Sequence, residues 1–198
     1  RSFTHWIGGM GVLVFMLAGV LYGVTGFIGD VLPVFDPAFE SYAKSSVQTQ
    51  VAPYVFSPNI YGWMSDNELP DEINMLDNTL GFDVTDTRFM YSYATAWTFM
   101  YMKTGNINVT RGDVTDELRN EYIAMVYDRY FSVAKLCRDK YVPGHQYIGC
   151  RFANDGVANE YVIRVAGQYC DVISYNWYGA WSAKPSTAEN IQKWAGKP

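Results

Sequence analysis

Three short stretches hold the side chains of this chain that could do chemistry together. Ser65-Asp66-Asn67-Glu68 closes an aromatic run with two carboxylates and an amide. Arg151 closes a second apolar run and is followed by Asn154 and Asp155, while Asn176, Trp177 and Tyr178 close a third, ahead of Gly179 and Trp181. A carboxylic acid gives and takes a proton, and amides and a guanidinium hold hydroxyl groups. Flat aromatic faces offer apolar platforms. Such a set suits the hydrolysis of a glycosidic bond, which needs a proton donor, hydrogen bonds to hydroxyls and rings on which sugars rest. Each residue also has a plainer reading. Glu68 can cap a helix entered through Pro70-Asp71-Glu72, Asp66 can be a turn residue, Arg151 can sit in a buried ion pair, and Trp177 and Tyr178 can be core aromatics. Trp63 reads as core and Asp171 as a turn cap.

These residues depend on elements that present them at one edge. Asn59–Ser65 is short, aromatic and bounded by Pro58 and a polar cluster, so it reads as a strand. Gln146–Phe152 and Asp171–Trp177 read as two more. Helices are expected between them. Asp36-Pro37 opens one over Ala38–Gln50, with a capping carboxylate before a proline at the first helical position. Arg88–Lys103 stops at Gly105, and Val157–Tyr169 and Ser186–Trp194 follow the same pattern, the last capped by Ser186 or Thr187. Over Asp113–Lys140 the residues Leu118, Tyr122, Met125, Val126, Tyr130, Val133 and Leu136 define one apolar face. Strands and helices alternating at this pitch imply parallel strands joined by crossovers, and an α/β barrel or part of one. In such a fold the functional residues lie past the C-terminal ends of the strands, where the three polar stretches stand.

Composition narrows the partners. The 198 residues are 49% hydrophobic, 17% aromatic and 18% charged, the profile of a folded chain and, at this length, of one domain. A net charge of −5 argues against nucleic acid or an anionic membrane surface and favours neutral substrates. The sixteen Tyr, eleven Phe and six Trp are compatible with carbohydrate contact as well as with an aromatic core. Cys137, Cys150 and Cys170 lack zinc-site spacing and their odd count excludes a complete disulfide framework. His5 and His145 are far apart, and His145 follows Pro143-Gly144 into a turn, so no metal and no other cofactor is expected. Asn108-Val109-Thr110 is a glycosylation sequon too common by chance to fix a compartment.

The first thirty residues need a separate account. Ser2–Gly29 holds no Asp, Glu, Lys or Arg, and Val12–Val24 is strongly apolar. The length just suffices to span a bilayer, but seven glycines weaken any helix there, so a buried strand with a Gly-rich loop is expected instead of a membrane span. The start without Met and the end at Gly-Lys-Pro read as a piece of a longer protein.

The motifs also carry a resemblance. Ile60-Tyr61-Gly62-Trp63-Met64 running into Asp66-Asn67-Glu68-Leu69-Pro70 resembles the fourth strand and Asn-Glu motif of clan A glycoside hydrolases, in their β-agarase-type members. Val34-Phe35-Asp36-Pro37-Ala38-Phe39 before it is similar to the same group. His145-Gln146-Tyr147-Ile148-Gly149-Cys150-Arg151-Phe152 resembles its fifth strand, and Asp171-Val172-Ile173-Ser174-Tyr175-Asn176-Trp177-Tyr178 its sixth. The likeness covers about Asp30 to Pro198. It implies the central portion of a (β/α)8 TIM barrel, about strands 3 to 6 with their helices, residues 1–198 forming a partial catalytic domain. It implies a retaining glycosidase, endo-acting on a β-linked polysaccharide such as agarose or a related galactan. Glu68 would be the general acid/base and Asn67 would hold the sugar 2-hydroxyl, with Arg151, Asn176, Trp177 and Tyr178 on the substrate-binding rim. The nucleophile, a Glu closing the seventh strand, is expected beyond this chain, so that the 198 residues alone are inactive. Secretion or a periplasmic location is implied by the same likeness. The alternative is a non-catalytic carbohydrate-binding or scaffold protein on a degenerate barrel.

Overall fold

The computed structural model describes residues 3–7, 10–14, 31–71, 73–153, 159–178 and 181–198. Strands β1 (Phe3–Ile7) and β2 (Met10–Val14) pair antiparallel, with Ile7 opposite Met10. Two strands stand where one was expected in this first segment, and they pair antiparallel, since a parallel partner needs a long crossover. From β2 onward the pairing is parallel. β3 (Ile60–Met64) runs beside β2, with Leu13 opposite Trp63, and β5 (Gln146–Tyr147) runs beside β3, with Trp63 opposite Tyr147.

Strands β3 and β5 both continue after a break. Ser65 separates β3 from β4 (Asp66–Asn67), and Ile148-Gly149 separates β5 from β6 (Cys150–Arg151), which pairs with β4 in parallel. Backbone bonds from Ile148 N to Trp63 O and from Ser65 N to Gly149 O, both 2.8 Å, bridge the break. Gly149 sits at φ +69, and a Cβ there would stand 2.7 Å from Cys170 Sγ, so this kink needs glycine. The expected strand over Asp171–Trp177 reduces to a parallel bridge at Tyr175, opposite Phe152. Its start is bent because the Asp171 carboxylate turns back to accept from Tyr147 N at 2.8 Å and from Arg138 Nη2 at 2.9 Å. Asp171 is therefore the structural cap the sequence suggested.

The helices are α1 (Pro37–Gln50), α2 (Met75–Leu80), α3 (Met90–Thr104), α4 (Asp116–Tyr141), α5 (Glu160–Tyr169) and α6 (Pro185–Ala195). Asp36 Oδ1 accepts from Ala38 N at 2.7 Å and starts α1, and Gly105, left-handed at φ +71, stops α3. α2 was not expected from its six residues. α6 begins one residue earlier than expected, with Pro185 in its first turn and Lys184 in the capping position. The buried face of α4 is wider than the expected stripe: Tyr122, Val126, Tyr130 and Val133 are buried as expected, Ile123, Tyr127, Phe131, Ala134 and Cys137 are buried beside them, and Leu136 is 49% exposed.

That face meets the sheet through rings. Phe131 lies 6.5 Å from Tyr147 and 6.3 Å from Phe152, and Tyr127 lies 6.2 Å from Phe152. Trp63 is fully buried, as expected, and stacks on His145 at 5.5 Å while donating from Nε1 to His145 Nδ1 at 2.9 Å. Burying each such ring contributes roughly 1.5–3 kcal/mol, so this aromatic layer is a main source of cohesion between helix and sheet. The three cysteines are buried and unbridged. Of the apolar run Ser2–Gly29, residues 2, 8–9 and 15–29 lie outside the described residues, and among those described no helix is long and apolar enough to cross a membrane.

Candidate active site

Parallel neighbours end on the same side of a sheet, so Asn67-Glu68, Arg151 and Asn176 arrive at one edge. Adjacent strand ends fix the spacing. Asn67 is paired with Arg151 in the β4–β6 register, Glu68 N donates to Arg151 O at 2.7 Å, and Asn176 N donates to Phe152 O at 2.8 Å. Binding groups in open α/β sheets gather at such carboxyl ends.

The side chains form one hydrogen-bonded cluster. Arg151 Nε donates to Asn67 Oδ1 at 2.8 Å. Asn176 Nδ2 donates both to Asn67 Oδ1 at 3.1 Å and to Glu68 Oε1 at 2.7 Å. The Tyr178 hydroxyl donates to the same Glu68 Oε1. Glu68 is held in the left-handed region at φ +50, and among the described residues it is the sole non-glycine there. For a residue with a Cβ that conformation costs roughly 1–2 kcal/mol, and strain of this kind concentrates at working sites.

The cluster sets the ionisation of its members. The Tyr178 hydroxyl, followed by the Asn176 amide, holds the Glu68 carboxyl below the usual glutamate range, with Arg151 adding to the effect and partial burial opposing it. Reciprocally, the bond to Glu68 pushes the Tyr178 phenol up. Glu68 in this arrangement is a carboxylate.

Beneath the cluster lies a buried layer that sequence reasoning missed. Asp66 is fully buried, and Tyr130 OH donates to its Oδ2 at 2.7 Å. Tyr130 OH also lies 2.8 Å from Ser65 Oγ, which shares a 2.8 Å bond with Tyr147 OH. Asp66 is thus a structural residue that anchors β4 to α4, the plainer of its two readings. The signal was tyrosine in place of phenylalanine at buried positions: a phenol needs a partner there.

The remaining candidates stand apart from the cluster. Trp177 packs edge-on against Tyr175, 6.4 Å between ring centres, and its buried indole N–H has no hydrogen-bond acceptor among the described residues. Trp181 is fully exposed; Tyr178, which belongs to the cluster, is 60% exposed. Asn154, Asp155 and Gly179 lie outside the described residues. Among those described, no group of His, Cys, Asp and Glu is placed to hold a metal ion.

Comparison with known proteins gives a consistent picture. No family model matches the chain. β-Agarase B of Vibrio sp. (strain JT0107) is 24% identical over 179 residues, covering 76% of this chain and 19% of that protein. Among solved structures, BpGH50 superposes with a TM-score of 0.71 at 29% identity, covering 82% of this chain and 36% of its own. PfGH50B gives 0.72 at 25% identity, covering 93% and 31%. The chain therefore spans about a fifth of the curated relative and about a third of each solved chain. The resemblance to β-agarase-type glycoside hydrolases read from the strand-end motifs holds in both sequence and fold.

Proposed function

We propose that this β-agarase-like chain carries the acid/base side of a retaining glycoside hydrolase site that cleaves a β-linked galactan such as agarose, in endo fashion. The observation that carries the reading is the cluster at the strand ends: one strained carboxylate, Glu68, beside the carboxamide of Asn67. The parallel run from β2 through β3–β4 and β5–β6 to Tyr175 supports a sector of a (β/α)8 barrel, with the cluster on its C-terminal rim.

In this reading Glu68 protonates the leaving glycosidic oxygen and then, as carboxylate, takes a proton from the attacking water. Asn67 holds the hydroxyl next to the anomeric carbon. Tyr178, Arg151 and Asn176 line the rim, and Trp177 and Trp181 offer rings to the sugar chain. The ionised state of Glu68 described above is that of the second, base step. The first step needs its proton. A second carboxylate about 5–5.5 Å away, as a retaining mechanism requires, would supply the like charge that raises Glu68 into the acid form. Among the described residues no other carboxylate joins the cluster, and the nucleophile is the Glu closing a later strand that the resemblance to β-agarase-type enzymes implies.

The same observation favours a second reading, a carbohydrate-binding protein without catalysis. The test compares Glu68→Gln with the native sequence, in this chain and in the longest gene product that carries it, on agarose and other β-galactans. Product release by the longer protein that disappears in Glu68→Gln supports the hydrolase. Binding with no release in either form supports the second reading, and neither binding nor release would sink both.

A further inference from the structure

We propose that Asn176 is a positioning residue: its single amide nitrogen ties Glu68 to Asn67, so that Glu68 Oε2 and the Asn67 amide hydrogens are the two groups offered to one sugar. The inference rests on the assignment of Glu68 as acid/base, and it replaces a direct substrate contact for Asn176 with a role exerted through its neighbours.

The argument is one of donors and acceptors. A guanidinium can only donate, so Arg151 Nε, 2.8 Å away, requires the carbonyl oxygen of Asn67 and not its nitrogen at that place. An ionised carboxylate can only accept, so Glu68 Oε1 at 2.7 Å requires the nitrogen of Asn176. These two obligations fix both amide orientations. With its nitrogen so placed, Asn176 spends one hydrogen on Glu68 Oε1 and the other on Asn67 Oδ1 at 3.1 Å. Asn67 Oδ1 then carries two donors, from Arg151 and Asn176. Glu68 Oε1 also carries two, from Asn176 and the Tyr178 hydroxyl. Both oxygens are saturated.

What remains available is complementary. Asn67 keeps both of its amide hydrogens, and Glu68 keeps Oε2; neither has a hydrogen-bond partner among the described residues. One group donates and the other exchanges a proton, which matches a glycoside whose ring hydroxyl neighbours the bond to be cut. The clamp itself is fixed from below, because Asn176 N is bonded to Phe152 O in the sheet.

The test uses the 198-residue chain with its glutamate carboxyls labelled with carbon-13, Glu68 being assigned from its absence in Glu68→Gln. Three forms are compared: native, Asn176→Ala and the isosteric Asn176→Asp. The clamp predicts that the Glu68 titration midpoint moves up in Asn176→Ala and further in Asn176→Asp, where a second carboxylate replaces the donor. It also predicts that the Asn67 side-chain amide resonances shift in both variants, and that affinity for an agarose-derived tetrasaccharide falls roughly tenfold, the loss expected when one aligned hydrogen-bonding group is freed. A Glu68 midpoint and Asn67 amide signals that stay in place in either folded variant would overturn it, even if sugar affinity falls, since that pattern belongs to a direct substrate contact. If the native chain and its longer product bind no galactan, the hydrolase reading fails, while the titration still decides the clamp.

Discussion

Arg151 and Asn67, 84 residues apart in the chain, are joined by a 2.8 Å bond from Nε to Oδ1 across paired strand ends. The bond fixes the Asn67 carbonyl on Arg151 and so leaves the amide hydrogens as the group Asn67 can offer. On the proposed assignment, Arg151→Met should therefore weaken galactan-oligosaccharide binding by roughly 10- to 100-fold, the worth of a charge-assisted bond of about 1.5–3 kcal/mol. Arg151→Lys should not restore it, because an ammonium lacks the planar Nε–H that meets this oxygen. Isothermal titration of the three forms checks both statements, and full rescue by lysine would show that charge alone matters.

Tyr178 governs the acid side of the stability profile. Its hydroxyl is the leading reason Glu68 lies below its ordinary value of 4.5. A carboxylate with a depressed native value contributes stability that is complete above the ordinary value and is lost as pH falls through the native one. Removing the donor with Tyr178→Phe should raise the native value, so less stability is lost on acidification. Melting curves of both forms, taken from neutral pH down to about pH 3, should converge as pH falls. Parallel curves would separate Tyr178 from the ionisation of Glu68.

His145 titrates in a different window. Burial holds it below its ordinary value of 6.5, only partly offset by a backbone bond at Val55. Its Nδ1 accepts from Trp63, which a proton on that atom would forbid. A depressed histidine contributes stability that is present above pH 6.5 and declines as pH falls from there toward the native value. Urea midpoints measured on either side of that window, with Trp63 fluorescence as the probe, should show the decline, and His145→Gln should flatten it.

The strand ends were legible because polar clusters interrupt aromatic runs: Asn67-Glu68, Arg151 and Asn176-Trp177-Tyr178 stand out against Ile60–Met64, Gln146–Cys150 and Val172–Tyr175. Helices with plain caps were legible too, since Asp36-Pro37 and Gly105 act locally. What stayed hidden depends on distant partners. The full face of α4 is set by which rings the sheet offers, so Tyr127 and Phe131, which meet Phe152 and Tyr147, are buried while Leu136 is exposed. The hydroxyl chain from Tyr147 through Ser65 and Tyr130 to Asp66 joins residues up to 82 positions apart and leaves no local periodicity. Nor does any side-chain pattern announce that Glu68 adopts a positive φ.

That positive φ yields a stability test independent of chemistry. Glu68→Ala and Glu68→Gly both delete the carboxylate and its bonds to Asn176 and Tyr178, and they differ in the Cβ alone. At φ +50 the glycine form should be the more stable by about 1 kcal/mol, the reverse of the usual order at ordinary backbone angles. Urea denaturation compares them directly, and an alanine form that equals or exceeds the glycine form would mean that the backbone at 68 is relaxed.

Gly149 and Gly105 share nearly the same backbone angle, φ +69 and +71, but not the same surroundings. A Cβ at Gly105 meets nothing within 4 Å, whereas one at Gly149 would meet Cys170 Sγ at 2.7 Å and Phe131 at 3.5 Å. Gly105→Ala should therefore cost about 1 kcal/mol, the conformational penalty alone. Gly149→Ala carries the same penalty and must also displace a buried sulfur, which brings its cost to roughly 2–4 kcal/mol. The difference between the two isolates the close approach of the β5–β6 kink to the residue preceding Asp171. Because that kink aims β6, Gly149→Ala should also disturb the Arg151–Asn67 bond and lower sugar affinity, while Gly105→Ala leaves affinity unchanged. Equal costs for the two variants would mean that the kink has room to relax, and that the aim of Arg151 is set elsewhere.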